Sequence, residues 1–561
     1  MMGSALRRMV CLLPFLWVTV SAFTQTGPGV SGPDQQVFRV TTRLVVVNVV
    51  VHDKKGAPVA GLTRDDFTVS DGGREEKISV FSVERRGAMQ GPREPLSPNV
   101  FSNRMARQGG IPTSVAAILL DGSGTTFEDL AYARQQLIEF LSQLQPQDRV
   151  ALYAFGSRLS IVQDFTSDPS PLLEALRQHQ NPTAGAPGTG PQHAAADIPR
   201  QGLSGSASAA ATRLDTTMFD LVHTRSGDYR KLDLLDALAA IANHLSGLPG
   251  RKSLIWLTGA VPFPQSLPVQ FSLGHPGAGG SNPLVEEKVR QTILALNQAD
   301  VALFPVDSRG LFTNPDFKAE NEGRVPYERG ARGRLDSMTL QIQLMAYWGQ
   351  ETGGRAFYNT NDLRSAMRRA LDDSEITYTL GYYPSHGQWD GRYRSIKVRV
   401  NVPGVEVRHR RGYFTSPAPA ASVKTKNRMA MLKQAASSPL EATGVGVMVR
   451  LTPFKGPTGA HKLEIDISPD LNDLVFQQVN GRWTGLFDVL AGQYSKQGKS
   501  LGGTTKSLSE NLTNATYQEI MRKGLTMTFY QDVARRAEEV RVVVRDGLSG
   551  STGSVKIPLH Q

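Results

Sequence analysis

Asp121, Ser123 and Thr125 stand at alternate positions in Asp121-Gly122-Ser123-Gly124-Thr125, directly after the apolar run Val115-Ala116-Ala117-Ile118-Leu119-Leu120. A carboxylate and two hydroxyls are hard oxygen donors, the ligand type that suits Mg²⁺ or Ca²⁺. Alternate spacing lets three side chains converge from one loop, and the glycines between them permit tight turning. A cation held there with an open coordination position would accept a carboxylate from a partner. The same residues have a plainer use, since Asp121 and Ser123 could cap a helix starting near Phe127. Asp307 closes a second apolar run, Val301-Ala302-Leu303-Phe304-Pro305-Val306. It could line the same rim or cap its own turn. Thr216 and Thr217 could join only if the segment carrying them folds back.

Other chemistries lack their residues. The ten histidines are scattered, and none forms His-Glu-x-x-His or another metal-ligand spacing. There is no Gly-x-Ser-x-Gly frame around Ser123 and no phosphate loop ending in Gly-Lys-Ser/Thr. Asp470 and Asp473, three apart, read as a solvated turn. The chain is therefore expected not to be an enzyme.

A loop of this kind needs a rigid sheet behind it. Val115–Leu120 is apolar throughout, as a strand buried on both faces of a parallel sheet must be. A helical stripe follows over about Phe127–Leu144, then strands at Arg149–Phe155 and Leu159–Val162. Further helices are expected near Leu232–Leu248, Val285–Gln298, Met338–Thr352 and Asp362–Asp372, and strands at Ser253–Thr258, Val301–Asp307 and Ile376–Tyr383. This alternation predicts an α/β domain over 112–385, a doubly wound, mostly parallel sheet. Its Gly-, Pro-, Ala- and Ser-rich stretch 180–228 reads as a mobile insertion. Ligands of such sheets bind beyond the carboxyl ends of the strands, where Asp121 lies. Arg251 and Lys252, just before a strand, belong to the opposite end.

The flanks read differently. Residues 38–85 carry β-patterned runs, Leu44–Val51, Asp66–Ser70 and Lys77–Val83, with turns between them. Residues 386–415 are a hairpin expected to pack on that module, and 441–561 a second sandwich-like domain. Residues 23–37, 86–111 and 416–440 read as linkers.

With 561 residues the chain exceeds a single core, and 40% apolar with 20% charged residues is an ordinary globular balance. Arg7-Arg8, the apolar run Met9–Val20 and the small residues of Val20-Ser21-Ala22 resemble a signal peptide cleaved near Ala22. A secreted or periplasmic protein is expected, with no transmembrane segment after cleavage. Cys11, the only cysteine, lies in that segment, so the mature chain would have no disulfide or thiol chemistry. The net charge of +11 is dispersed, and its densest cluster is Arg408-His409-Arg410-Arg411. Without an aromatic-interleaved basic stripe, nucleic acid is not an expected partner. An acidic cell-surface ligand fits better.

Asp121-x-Ser123-x-Thr125 after an apolar strand resembles the metal-ion-dependent adhesion motif of von Willebrand factor A (VWA) domains. The chain over about 38–415 is similar to the VWFA-related family abundant in acidobacteria. That likeness rests on Leu44–Val51, Gly61-Leu62-Thr63-Arg64-Asp65-Asp66-Phe67, Gln163-Asp164-Phe165-Thr166, Pro249-Gly250-Arg251-Lys252, Phe304-Pro305-Val306-Asp307 and Leu380-Gly381-Tyr382-Tyr383-Pro384. It implies an exported, non-catalytic protein-binding or adhesion-type protein that uses a divalent cation, Mg²⁺ or Ca²⁺. The family pattern also takes a Thr from a later loop and an Asp after the fourth strand. Here those places hold Leu234-Leu235 and Thr258-Gly259, so the site is incomplete. A metal-free structural protein of the envelope is the alternative, and an uncharacterised hydrolase a third.

Overall fold

The computed structural model describes residues 44–86, 97–104, 115–179, 230–261, 283–311, 327–386, 390, 392–415, 425–457 and 461–559. The expected signal peptide, the linker after it and the 180–228 insertion with Thr216 and Thr217 lie outside the described residues.

The centre is a five-stranded sheet. Numbering every strand of the chain in sequence order, its members are β6 (Ala116–Asp121), β7 (Val150–Phe155), β8 (Leu159–Thr166), β9 (Lys252–Thr258) and β10 (Val301–Asp307). Their spatial order is β10-β9-β6-β7-β8, parallel except for β8. Helices cover both faces, so β6, β7, β9 and β10 are buried along their whole length. On one side lie α1 (Phe127–Leu141), α2 (Pro169–Gln178) and α6 (Leu363–Asp372), packing Leu137, Leu172 and Met367 against Ile118, Leu152 and Ile255. On the other lie α3 (230–245), α4 (Pro283–Gln298) and α5 (Tyr327–Glu351), packing Leu238, Ile293 and Trp348 against Leu119, Trp256 and Leu303. The fold is a doubly wound, mostly parallel α/β sheet flanked by β-sandwich modules. Helix α2 is an element the periodicity reading omits, although its start is signalled by Asp168, whose carboxylate accepts from the Ser170 N–H, and by Pro169 at the first turn.

Gly354 fixes how α5 returns to the sheet. A Cβ there would sit 2.1 Å from the Leu303 carbonyl oxygen in β10. Neither backbone can yield without disturbing the core, so Gly354→Ala is expected to destabilise the protein by about 3 kcal/mol. Urea denaturation checks this, and a loss below about 0.5 kcal/mol would show that the contact relaxes.

The first flanking module is a sandwich of two four-stranded sheets. One has the order β13-β1-β11-β4, from Val405–Arg408, Val45–Asp53, Ile376–Tyr382 and Ile78–Arg85. The other has the order β14-β12-β2-β3, from Gly412–Phe414, Tyr393–Val400, Phe67–Asp71 and Arg74–Glu76. Val47, Val49, Phe67, Val69, Tyr378, Leu380 and Val398 fill the space between them. Strand β11 departs from the sequence expectation. Read as a further α/β strand, it lies instead between β1 and β4, antiparallel to both. A short, mostly buried run looks alike in the middle of a sandwich and in a parallel sheet, so its composition could not place it.

This module meets the α/β domain through buried ion pairs. Asp148, wholly buried, receives Arg86 from the sandwich side and Arg368 from α6 at 2.6 Å. Asp373 joins Arg251, which precedes β9, at 3.1 Å and Arg408 of β13 at 2.6 Å. Arg408 also contacts His52 Nδ1 at 2.8 Å. An arginine can only donate, so that ring nitrogen accepts. Burial, the largest influence on His52, lowers its pKa and agrees with a neutral imidazole. Arg251 and Lys252 are thus buried structural groups at the amino ends of the strands.

The second module is a sandwich of two sheets: β20 (Met527–Asp532), β16 (His461–Pro469), β15 (Val447–Lys455) and β5 (Val100–Ser102) lie in that order against β17 (Gln477–Val479), β18 (Arg482–Tyr494), β21 (Glu539–Asp546) and β22 (Thr552–Pro558), and β19 (Ser500–Leu512) adds beyond β18. Val449, Ile465, Val489, Val542 and Ile557 form its core. Two expected linkers take part in it. Val100–Ser102, the strand β5, pairs with β15 (Val447–Lys455). Helix α7 (Thr425–Ser437) seats Leu432 and Ala436 on Leu490, Tyr494 and Val543, with Arg428 Nε 3.0 Å from the buried Asp488 carboxylate. In both cases a polar surrounding sequence masks a few apolar anchors.

Candidate functional site

Strand register brings three polar residues to the carboxyl edge of the sheet. Asp307 pairs with Thr258 across β10 and β9, and Leu257 with Leu120 across β9 and β6, so Asp121, Thr258 and Asp307 end adjacent strands at one level. Asp121 is fully buried. Its Oδ1 accepts from the Ser123 N–H at 2.9 Å and the Ser123 hydroxyl at 2.6 Å. Its Oδ2 accepts from the Thr258 hydroxyl at 2.9 Å and the Trp256 indole N–H at 3.1 Å. Trp256 lies two residues before Thr258 and so shares its face of the pleated sheet. It is held edge-on against Trp348, ring centres 6.2 Å apart. Burial pushes the Asp121 carboxyl above its ordinary range, while the bonds from Ser123, Thr258 and Trp256 pull the other way.

Thr125 closes the loop. Its hydroxyl donates to the Asp121 carbonyl at 2.8 Å and accepts from the Gly259 N–H at 2.9 Å. The two loops lie nearly backbone on backbone. A Cβ on Gly124 would meet the Ala260 Cβ at 2.9 Å, and one on Gly259 would meet Gly124 O and Thr125 Oγ1 at 3.1 Å. Asp121, Ser123 and Thr125 therefore fasten the loop after β6 to the loop after β9. Helix capping falls to another residue: Thr126, not Asp121 or Ser123, is the N-cap of α1, its hydroxyl accepting from the Asp129 N–H at 3.2 Å.

Asp307 is engaged elsewhere. Both its oxygens are 2.8 Å from the Arg309 guanidinium, and Oδ1 also accepts the Arg309 N–H. Those bonds hold the Arg309 guanidinium above its ordinary pKa.

These residues do not fit a divalent cation. Such an ion needs several oxygen lone pairs turned toward one open position. Here the Asp121 carboxylate already faces four donors. Thr258, standing where a second carboxylate would be needed, donates to Asp121 at 2.9 Å. The next acid along the edge is neutralised by Arg309. No group of three or more His, Cys, Asp or Glu gathers to hold a metal among the described residues. Along the chain Thr258 stands out only as a missing acid. The register of β9 with β6, and the indole two residues earlier, are the signals that identify a hydrogen-bonded lock.

Residues 116–196 match the von Willebrand factor type A domain family. No curated protein matches the chain. Among solved structures, it is similar to an aerotolerance-related membrane protein from Bacteroides fragilis, 13% identical, over 46% of this chain and 98% of that one, TM-score 0.23. It is also similar to the PilB minor pilin of Streptococcus sanguinis, 10% identical, over 47% of this chain and 60% of that one, TM-score 0.24. The three N-terminal domains of the type V pili tip protein Mfa5 from Porphyromonas gingivalis are 10% identical, over 86% of this chain and 96% of that one, TM-score 0.25. No helix among the described residues is long and apolar enough to cross a membrane.

Proposed function

We propose that this chain is an exported, non-catalytic protein-binding component of the adhesion or envelope-assembly type, whose VWA-type domain works without a bridging cation. The observation that carries the proposal is the saturated Asp121 carboxylate, bonded to Ser123, Trp256 and Thr258. A ligand would then meet protein side chains at the carboxyl edge. Three are exposed near that edge: Phe127, which opens α1, Leu311 after β10, and Tyr358 beyond the short pairing of Phe357 with Val306. Solvent-facing apolar and aromatic groups of this kind serve as interface anchors. Export rests on the Arg7–Ala22 pattern, and kinship with the acidobacterial family on the motifs between Leu44 and Pro384. A hydrolytic role finds no support at this edge, because the Ser123 hydroxyl donates to a carboxylate rather than to an imidazole base.

Calorimetric titration with Mg²⁺, Ca²⁺ and Mn²⁺ tests the proposal. No saturable heat is expected, and the thermal midpoint should be the same in EDTA. Saturable heat, or a midpoint raised by any of the three ions and lost in Asp121→Asn, would overturn the cation-free reading.

A further inference from the structure

The β19 strand (Ser500–Leu512) is thirteen residues long and pairs on one side only, with β18 (Arg482–Tyr494). No other described strand lies along its outer side. An open edge of this length templates pairing with another chain unless it is guarded by proline, a bulge, charge or a covering element. β19 contains no proline, its one register irregularity is at the Ser500 end, and most of its residues are exposed. The charges along it are Lys506 and Glu510. Lys506 Nζ lies 4.8 Å from the ring centre of Phe529, and Glu510 has no ion-pair partner among the described residues.

We propose that two copies of this chain associate through their β19 edges, antiparallel, about a two-fold axis at Leu508. In that register Leu508 faces its own copy. Lys506 of each strand faces Glu510 of the other, twice over, and Thr504 faces Leu512. Residues directly opposite on antiparallel strands share a face and interact, opposite charges favourably and like charges unfavourably. Moving the centre of symmetry to Lys506 or to Glu510 sets like charges against each other. Moving it to Ser507 or Ser509 sets one charge against Leu508 and leaves the other without its opposite. Parallel in-register pairing repels at both positions. The strand is thus self-complementary in one arrangement, and the lysine that would otherwise guard the edge becomes part of the match. Isologous contact of this kind closes into a dimer. Pairing over residues 504–512 makes a small interface, so a reversible dimer in the micromolar range is expected.

Sedimentation velocity on the full chain, from about 1 µM to about 1 mM, tests the proposal over the range expected for weak complexes. The wild type should dimerise reversibly. Lys506→Glu or Glu510→Lys, each creating two like-charge pairs per dimer, should weaken association by about tenfold or more, and the double variant should restore it. Both sites are on the surface, and an unchanged thermal midpoint confirms that each variant is folded. A wild type that stays monomeric throughout, single variants that dimerise like the wild type, or a double variant that does not recover would each overturn the proposal.

Discussion

Asp121→Ala is expected to destabilise the protein by about 3–5 kcal/mol, equally in EDTA and in excess Mg²⁺. The carboxylate is buried and holds four donors: the Ser123 N–H and hydroxyl, the Trp256 indole N–H and the Thr258 hydroxyl. Truncation leaves the Ser123 and Trp256 donors facing an apolar void, whereas the Thr258 hydroxyl can turn to the Ala260 carbonyl at 2.8 Å; each buried donor without an acceptor costs about 1–3 kcal/mol unless water enters. Asp121→Asn keeps one oxygen but turns an NH₂ toward two of the donors, so it should recover only part of the loss. Urea unfolding followed by tryptophan fluorescence measures both, since Trp256 and Trp348 are buried beside the lock. Asp121→Ala within about 0.5 kcal/mol of wild type would show the lock to be dispensable. A wild type stabilised by Mg²⁺, with the variant indifferent to it, would restore a cation to the site.

The second large effect is expected at the junction of the α/β domain with the first sandwich. Asp373→Ala should cost about 3–5 kcal/mol, because it leaves two buried guanidiniums, Arg251 and Arg408, without their shared carboxylate. Compensation is only partial: Arg408 keeps His52 Nδ1 at 2.8 Å and the exposed Glu406 carboxylate at 3.6 Å. Arg251 keeps a bond to the Gly353 carbonyl at 2.6 Å, but its Nε, like Nε and Nη1 of Arg408, has no hydrogen-bond partner. Arg408→Met removes one charge together with its desolvation and should cost less. Adding it to Asp373→Ala should cost less than the sum of the two singles, which is the signature of a direct pair. Strict additivity in denaturant midpoints would mean that the pair contributes nothing. The junction matters for the proposed function because Arg251 and Asp373 belong to the α/β domain while Arg408 belongs to the sandwich. Weakening it should free one module from the other.

Much of the architecture was legible along the chain. Val115–Leu120, Leu254–Leu257 and Val301–Val306 are apolar throughout because helices cover both faces of the sheet, and such a run announces itself without context. The stripe from Leu130 to Leu141 likewise announced α1. Strand β5 and helix α7 were not legible. Each is short or polar and is ordered mainly by a partner: β15 some 350 residues downstream for β5, and β18 and β21 for α7. No local signal records such a partner.

At the site the division is equally clear. Sequence alone determined that Asp121, Ser123 and Thr125 share one loop at the carboxyl end of a buried strand, and that the fourth-strand acid is replaced by Thr258. Tertiary structure decided what those residues do. Only the register of β9 beside β6 places the Trp256 indole and the Thr258 hydroxyl against Asp121, and only burial makes four donors necessary for one carboxylate. Asp307 ends its strand at the same level, yet Arg309 two residues later captures it first. Residue type and spacing state which atoms are available for bonding. Which bonds form depends on the distances that strand pairing imposes, and those are set by contacts far apart in the chain.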